Sequence, residues 1–522
     1  MELMRHPAFV LLAAWLVVLA ASLGGSRIRS GNAMRASQAR APLAASLATI
    51  GAYVAIAIWY ASRITFFDAA EPTITAVAWV FAKGQALYPA LDAPERYAHI
   101  YGPVLFMAHA AAFAVFGPCT LASKSIGVGA ALTSLALAYA VFRKQAGAAA
   151  ALAATAACVL VYLCFDNVSY WTRSDPLLIA AVAAGLWASR LRDWRAASIV
   201  GGVALGLATN LKLTGPVYFL PILALIASTH GLRAVVNAAA VAVPVAGAPF
   251  LLPHVSLTHY WQYFELSARN GLMPLRMRQN FEWAVFLSLP IATWLWAVRA
   301  TIAWRDPFVP ALAVAVAIVV LAAAKPGAGP FHLLPFVPLF AYAVLRAPTH
   351  AWKRPAAAHV LAAFVLAALA MAVPRQITFV TTVMDRPLES AVTEVRQFAA
   401  AHSRSRMAVG YAGTSFLSYA RPELVFRTND YLLDAPAVQE HRLSGLDIPL
   451  ATRRAIENCR IEYWLIPSGG EPFLVPGAYQ PDGPREVFPP DFRAAFLARY
   501  ERGGSTGQFD IWRCRPASAS AP

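Results

Sequence analysis

The stretch YWTRSDPLLIAAVAAGLW (170–187) sets an arginine and an aspartate, Arg173 and Asp175, at the mouth of an apolar run. Charges there are costly. Even lenient insertion scales put one at the bilayer centre at about 2.5–3.5 kcal/mol, so an ionisable pair kept at that cost reads as functional. A second acidic pair, Asp68 and Glu71, stands in an earlier interruption, FFDAAEPTITAVAWVFAKGQALY (66–88). Two acidic sites in a chain of many apolar runs, facing one side, would describe a catalytic cleft and not a scaffold.

The chain is 59% apolar and 13% charged, with mean hydropathy +0.53, against about 25% charged residues in a soluble protein. It reads as an integral membrane protein whose long apolar runs stop near residue 373. The remainder has ordinary soluble composition. A net charge of +16 does not indicate nucleic acid, because the basic residues gather in short loops as the positive-inside rule requires. The five cysteines form no CxxC and no metal spacing. Cys119, Cys158 and Cys164 read as small hydrophobes, while Cys459 and Cys514 are free to pair if the tail is extracytoplasmic.

The basic loops set the expected topology. Arg27, Arg29, Arg35 and Arg40 precede a span at 42–62, and Arg143 and Lys144 follow one at 124–142. Arg190, Arg192 and Arg195 follow 176–190, Arg233 follows 216–230, Arg299 and Arg305 follow 283–298, and Arg346, Lys353 and Arg354 follow 331–346. With these loops cytoplasmic, the others are periplasmic. YGPVLFMAHAAAFAVFG (101–117) is short of the roughly 20 residues of a crossing. A full span there would force Arg143 and Lys144 outside, so it reads as a re-entrant or embedded helix. Asp68, Glu71 and Asp175 then face the periplasm. The first apolar stretch, PAFVLLAAWLVVLAASLGG, is a span, a signal-like segment, or upstream of a start at Met34. The expected fold is an all-α polytopic membrane domain of about 11–12 transmembrane helices, with a small C-terminal α/β or α+β periplasmic domain. Its expected divisions are a hydrophobic segment and basic loop at 1–40, the transmembrane catalytic domain at 41–374 and the soluble domain at 375–522. In the tail, LESAVTEVRQFAAAH reads as an amphipathic helix, and RMAVGYA, IEYWLIP and FDIWRCR as buried strands.

Each candidate residue has a structural reading beside the chemical one. Asp68 is a general base, a metal ligand or a helix cap. Glu71, about one helical turn on, can face the same point. Asp92 and Glu95 read as solvent-facing. Arg173 and Asp175 form a loop-orienting ion pair, or Asp175 is a second carboxylate at the reaction centre. Lys212, in LATNLKLTGPVYFLP, snorkels or binds an anion. The loop HYWQYFELSARNGLMPLRMRQNFEW breaks the charge rule with Arg269, Arg276 and Arg278, a pattern that suits phosphate. Lys325 opens the glycine-rich turn KPGAGPFHLLP, where backbone amides can approach a ligand. His332 in it reads as packed or capping. His254 and His259 lack the spacing of a helical metal pair.

In combination these segments resemble the GT-C superfamily of polytopic glycosyltransferases. The resemblance rests on Asp68 and Glu71 followed by Gly84-Gln85-Ala86-Leu87-Tyr88, on the YGPVLF segment beginning at Tyr101, on Arg173-x-Asp175 and on Lys212-x-Thr214. Asn270-Gly271 and the turn with Gly327 and Gly329 add to it. It covers about residues 42–350 and departs from the common pattern in having Asp68-Ala-Ala-Glu71 where an adjacent Asp-Glu pair is usual. It implies a glycosyltransferase of the bacterial inner membrane that moves a sugar, with inversion, from a polyprenyl-phosphate-linked donor to a periplasmic or cell-envelope acceptor. The expected catalytic residues are Asp68, Glu71 and Asp175. The expected substrate-binding residues are Arg173, Lys212, Arg269, Asn270, Arg276, Arg278, Lys325, His332, Tyr88 and Tyr101. No cofactor is fixed by the resemblance, a divalent metal ion is left open, and the partners are the lipid-linked donor, the acceptor and the bilayer, with no nucleic acid. The rival class is a transporter or flippase of a lipid-linked or anionic solute, which also places charges in a membrane cleft.

Overall fold

The computed structural model describes residues 7–24, 33–297, 306–347, 355–386, 388–477 and 485–515. Arg27, Arg29, Arg299, Arg305, Lys353 and Arg354, used above to set the topology, lie outside them. The chain is a multi-pass membrane protein. Long apolar helical stretches at Ala41–Ser62, Thr120–Ala146 and Leu232–Leu251, with one beginning at Ala357, are long enough to cross a membrane. Shorter apolar helices accompany them at Pro103–Phe116, Ala148–Leu163, Ser174–Ala188, Gly215–His230, Phe308–Ala322 and Pro330–Leu345. The chain forms two compact units.

The first unit comprises Met1–Tyr60, Gly127–Gly247 and Leu272–Val380 and is helical. The helix Trp194–Leu211 packs on Leu232–Gly247 and on Ser174–Ala188. The approach is close because Gly202 and Gly206 face Val241 and Val245, where a Cβ would come within 2.7 Å of each valine Cβ. Small residues on one stripe are how helices pack without a hydrophobic driving force. The helix Pro355–Asp385 runs past the expected end at 373, through Pro374. Its polar turn is anchored inside the unit. Arg375 pairs with Asp166 at 3.3 Å, and Gln376 Nε2 donates to the carbonyls of Leu163 and Asp166 at 2.8 and 3.0 Å.

The second unit comprises Ala61–Ile126, Ala248–Gly271 and Thr381–Pro522. Its four-stranded sheet has β1 (Met407–Val409), β2 (Tyr463–Pro467), β3 (Tyr500–Ser505) and β4 (Phe509–Cys514) in the order β1-β2-β4-β3. β1 and β2 are parallel and the other two pairs antiparallel. Trp464 and Ile466 enter one core with Phe473, Phe488, Phe492 and Phe496. Leu465 enters another with Leu388, Val392 and Val395 of the helix Leu388–Ala401. Burial on both faces is why β2 reads as an unbroken apolar run. The expected strands and amphipathic helix are all present. β3, YERGGS, lacks apolar alternation. It is an edge strand with a register shift at Arg502/Gly504, which sequence pattern does not reveal. Cys459 and Cys514 are disulfide-bonded, with Cα atoms 5.8 Å apart.

The loop after the helix Ala70–Ala82 is held by the C-terminal part of this unit. Arg96 N–H donates to the Leu432 carbonyl at 2.7 Å and Asp434 N–H to the Arg96 carbonyl at 2.9 Å. Glu95, expected to face solvent, is half-buried because Arg460 bridges it (2.5 Å) to Asp430 (3.2 Å). Asp92 is exposed as expected.

Candidate active site

In the first unit, the motifs around Asp175 and Lys212 meet. The helix Ser174–Ala188 starts at Ser-Asp-Pro, with Pro176 preset for a first turn and Asp175 beside the N-terminal amides. Lys212 follows the helix Trp194–Leu211. Gly215 lets the Lys-Leu-Thr-Gly turn fold back on that helix, because a Cβ there would overlap the Ala208 carbonyl. Lys212 Nζ donates to Asp175 Oδ1 at 2.6 Å, and Trp171 Nε1 to Asp175 Oδ2 at 3.1 Å. Asp175 is fully buried and Lys212 8% exposed, so Lys212 pairs and does not snorkel. Desolvating both charges costs several kcal/mol each, which their attraction and the indole hydrogen bond offset.

Around this pair, the Arg173 guanidinium lies over the Trp171 ring at 4.1 Å and near Phe331 at 5.6 Å, and Lys212 Nζ is 5.7 Å from the Phe331 ring. Phe331 comes from the glycine-rich turn. Its ring adjoins that of His332 at 4.6 Å, and the His332 carbonyl accepts from the Tyr218 hydroxyl at 2.8 Å. Arg276 joins the same turn: a methyl at Gly329 would sit 3.9 Å from Arg276 Nη1, which donates to Gln279 Oε1 at 3.0 Å. Lys325 begins the turn, its carbonyl accepting from Ala328 N–H at 3.2 Å. Arg278 is exposed and pairs with Glu282 one turn on, at 2.8 Å. The cluster of Arg173, Asp175 and Lys212 carries one net positive charge on an aromatic floor, a setting for a single anionic group.

In the second unit, the structure separates the two carboxylates of the first acidic pair. Glu71 is fully buried. Its Oε1 accepts from the Phe67 and Asp68 amides at 3.3 and 3.2 Å, closing the entry to the helix Ala70–Ala82. Asp68 is half-buried, and its Oδ1 accepts from the Ala70 amide at 2.9 Å. Tyr88 and Tyr101 are brought together, the Tyr88 hydroxyl donating to the Tyr101 carbonyl at 2.6 Å. Asn270 Oδ1 accepts from the Ser444 hydroxyl at 2.7 Å, and the neighbouring Arg269 is exposed. Among the described residues, no group of three or more His, Cys, Asp or Glu side chains is placed to hold a metal ion.

No protein-family model matches the sequence, and no curated protein matches it. Among solved structures, ArnT from Cupriavidus metallidurans in the apo state aligns over 91% of this chain and 99% of its own, with a TM-score of 0.57 at 14% identity. The structure of that ArnT bound to undecaprenyl phosphate aligns over the same shares, with a TM-score of 0.55 at 13% identity. The chain shares the fold of these ArnT structures. The alignment runs through the C-terminal domain as well as the helices, further than the stretch that carried the sequence resemblance.

Within this fold, the sequence pattern did not reveal three cations around the Asp68 loop, all in the second unit. Lys124, buried in the helix Thr120–Ala146, donates to the carbonyls of Arg63 and Thr65 at 2.8 and 2.6 Å. Arg386 Nη1 donates to the carbonyls of Phe66 and Phe67 at 2.6 and 2.8 Å. Arg421, 1% exposed, donates from Nη2 to the Ala69 carbonyl at 2.7 Å and to Thr73 Oγ1 at 2.6 Å. A lysine inside an apolar helix is a signal the sequence did offer for Lys124. Arg386 and Arg421 stand in polar sequence and carry none.

A polar knot lies beyond Arg421. Asp434 caps the helix Ala435–Leu443 and accepts from Thr73 Oγ1 (2.8 Å), Tyr431 Oη (2.6 Å) and Ala437 N–H (2.9 Å). It pairs with Arg421 at 3.3 Å and His99 at 3.4 Å. Burial alone would raise the Asp434 carboxyl, but Arg421 and His99 hold it well below the usual carboxylate range. Burial would likewise lower His99, yet its bonds to Asp434 and Glu440 raise it to about 9.

Proposed function

We propose that this chain transfers a sugar, with inversion, from a polyprenyl-phosphate-linked donor to a cell-envelope acceptor at the periplasmic face of a bacterial inner membrane. The observation that carries the reading is the near-full-length fold match to ArnT, a protein whose structure has been solved with undecaprenyl phosphate. The cationic cluster on its aromatic floor supports it, since a phosphate monoanion matches one net positive charge held by Arg173, Asp175 and Lys212.

Asp68 is the base in this reading, because it is half-buried while the adjacent Glu71 carboxylate is fully buried and holds two backbone amides to Asp68's one. It takes the proton of an acceptor hydroxyl or amine as that atom attacks the anomeric carbon. The bond from that carbon to the phosphate oxygen breaks, and the polyprenyl phosphate departs with the electron pair. In the first unit, Arg173, Lys212, Arg276 and Lys325 are the groups assigned to binding the donor's phosphate, since preorganised donors aimed at a charged group count most. Asp175 keeps Lys212 charged and in place.

Undecaprenyl phosphate titrated into the purified protein in lipid nanodiscs tests the donor half. The expected result is saturable binding, weakened about tenfold or more by Arg173→Ala or Arg276→Ala, a loss of about 1.4 kcal/mol. Arg278→Ala should bind as the wild type does. Equal affinity for uncharged undecaprenol would contradict the phosphate assignment.

A further inference from the structure

The segment between residues 62 and 70 has neither helix nor strand to satisfy its backbone, and buried carbonyls must find donors somewhere. Here five of them do so on three side-chain cations. Lys124 takes Arg63 and Thr65, Arg386 takes Phe66 and Phe67, and Arg421 takes Ala69. The amide side of the same loop is held by carboxylates, Phe67 and Asp68 on Glu71 and Ala70 on Asp68 itself. The loop is therefore held from both sides by side chains, and the hydrogen bonds from the two guanidinium groups are charge-assisted, about twice as strong as neutral ones. Arg386 is itself surrounded by the rings of Phe67, Phe416 and Tyr419, with its guanidinium carbon 5.4–5.6 Å from each centroid. Arg421 is locked further by Ser418, Tyr431 and Asp434.

We propose that Arg386, Arg421 and Lys124 are positioning residues for Asp68, gripping the carbonyls of its loop so that its carboxylate is presented in one orientation. The inference rests on the reading of Asp68 as the base. A base misplaced by about 1 Å can lose around a hundredfold in rate, so the grip matters to turnover more than to substrate affinity. Lysine cannot replace arginine at position 386, because a point ammonium does not lie flat among three rings while reaching two carbonyls.

The test uses the full chain with Arg386→Lys, the half-buried member and so the least disruptive. Asp68→Asn and the double variant complete the set. Backbone hydrogen exchange across residues 63–70 reports the grip without any assay of activity. Faster exchange confined to that loop in Arg386→Lys is expected, and unchanged exchange would overturn the proposal. The lipid-linked sugar pool extracted from a strain lacking this chain serves as donor for turnover. Arg386→Lys should lower kcat about tenfold or more with KM nearly unchanged, and should cost nothing further in the Asp68→Asn background. Equal losses in both backgrounds would overturn a role through Asp68. If the wild type transfers no sugar, the glycosyltransferase reading fails, while the exchange experiment still decides whether these cations hold the loop.

Discussion

At the scale of single residues, the strongest commitment is the Asp175–Lys212 pair. Removing one partner of a buried pair leaves an uncompensated charge, at about 3–5 kcal/mol. Lys212→Ala should therefore lower the melting temperature sharply, while the double variant Asp175→Asn with Lys212→Met recovers most of the loss without recovering activity. A single variant as stable as the wild type would show that the pair carries no structural load. The sequence made Asp175 and Lys212 legible as costly charges at helix ends. It did not make their partnership legible: the neighbouring Arg173 was the obvious mate for Asp175, and 37 positions separate Asp175 from its partner. Trp171 occupies the other carboxylate oxygen, and Arg173 lies over the indole of that tryptophan. The cations on the Asp68 loop were hidden for the same reason. Arg386 and Arg421 reach carbonyls some 320 and 350 positions away, and no local pattern encodes such a contact.

At the scale of elements, the helix Ala435–Leu443 and the loop carrying His99 form a pH-sensitive joint. His99 lies between Asp434 and Glu440, with Arg421 on the far side of Asp434. Its folded value of about 9 exceeds the ordinary 6.5. The stabilisation is thus complete below pH 6.5 and is lost as pH rises through about 9. It amounts to at most roughly 3.5 kcal/mol, since one unit is about 1.4 kcal/mol. His441, pushed down to about 4 by burial, titrates below that window. Melting temperature of the full chain in detergent should fall between pH 7 and 9.5, and His99→Gln should flatten the fall. The same slope in both proteins would remove His99 from the joint. Elements with strong periodicity were readable here, as in β2 and the helix Leu388–Ala401. Those made by context were not. β3 exists because β4 offers it an edge, and the helix Pro355–Asp385 continues where Asp166 pairs with Arg375 and two carbonyls accept from Gln376 Nε2.

At the scale of the whole molecule, composition and the apolar runs sufficed for a polytopic protein, because bilayer thickness constrains a sequence strongly, and strand patterning sufficed for the sheet of the terminal region. They did not reveal that residues 61–126 and 248–271 are in one compact unit with the C-terminal region. That arrangement depends on contacts such as Arg96 with Leu432 and Asp434, which have no periodic signature. The central claim is chemical: a sugar changes its partner, and Asp68 takes the proton. Mass spectrometry of envelope lipids and glycans tests it in cells carrying the wild type, the Asp68→Asn variant or no copy of this chain. With the wild type, an acceptor one sugar unit heavier should appear. It should be absent without the chain, and it should form roughly 10²–10⁴-fold more slowly with Asp68→Asn, while the loaded polyprenyl-phosphate donor accumulates. An envelope with no mass change in any acceptor, in which the same solute is found unmodified on the other side of the membrane, would contradict the account and make this chain a carrier.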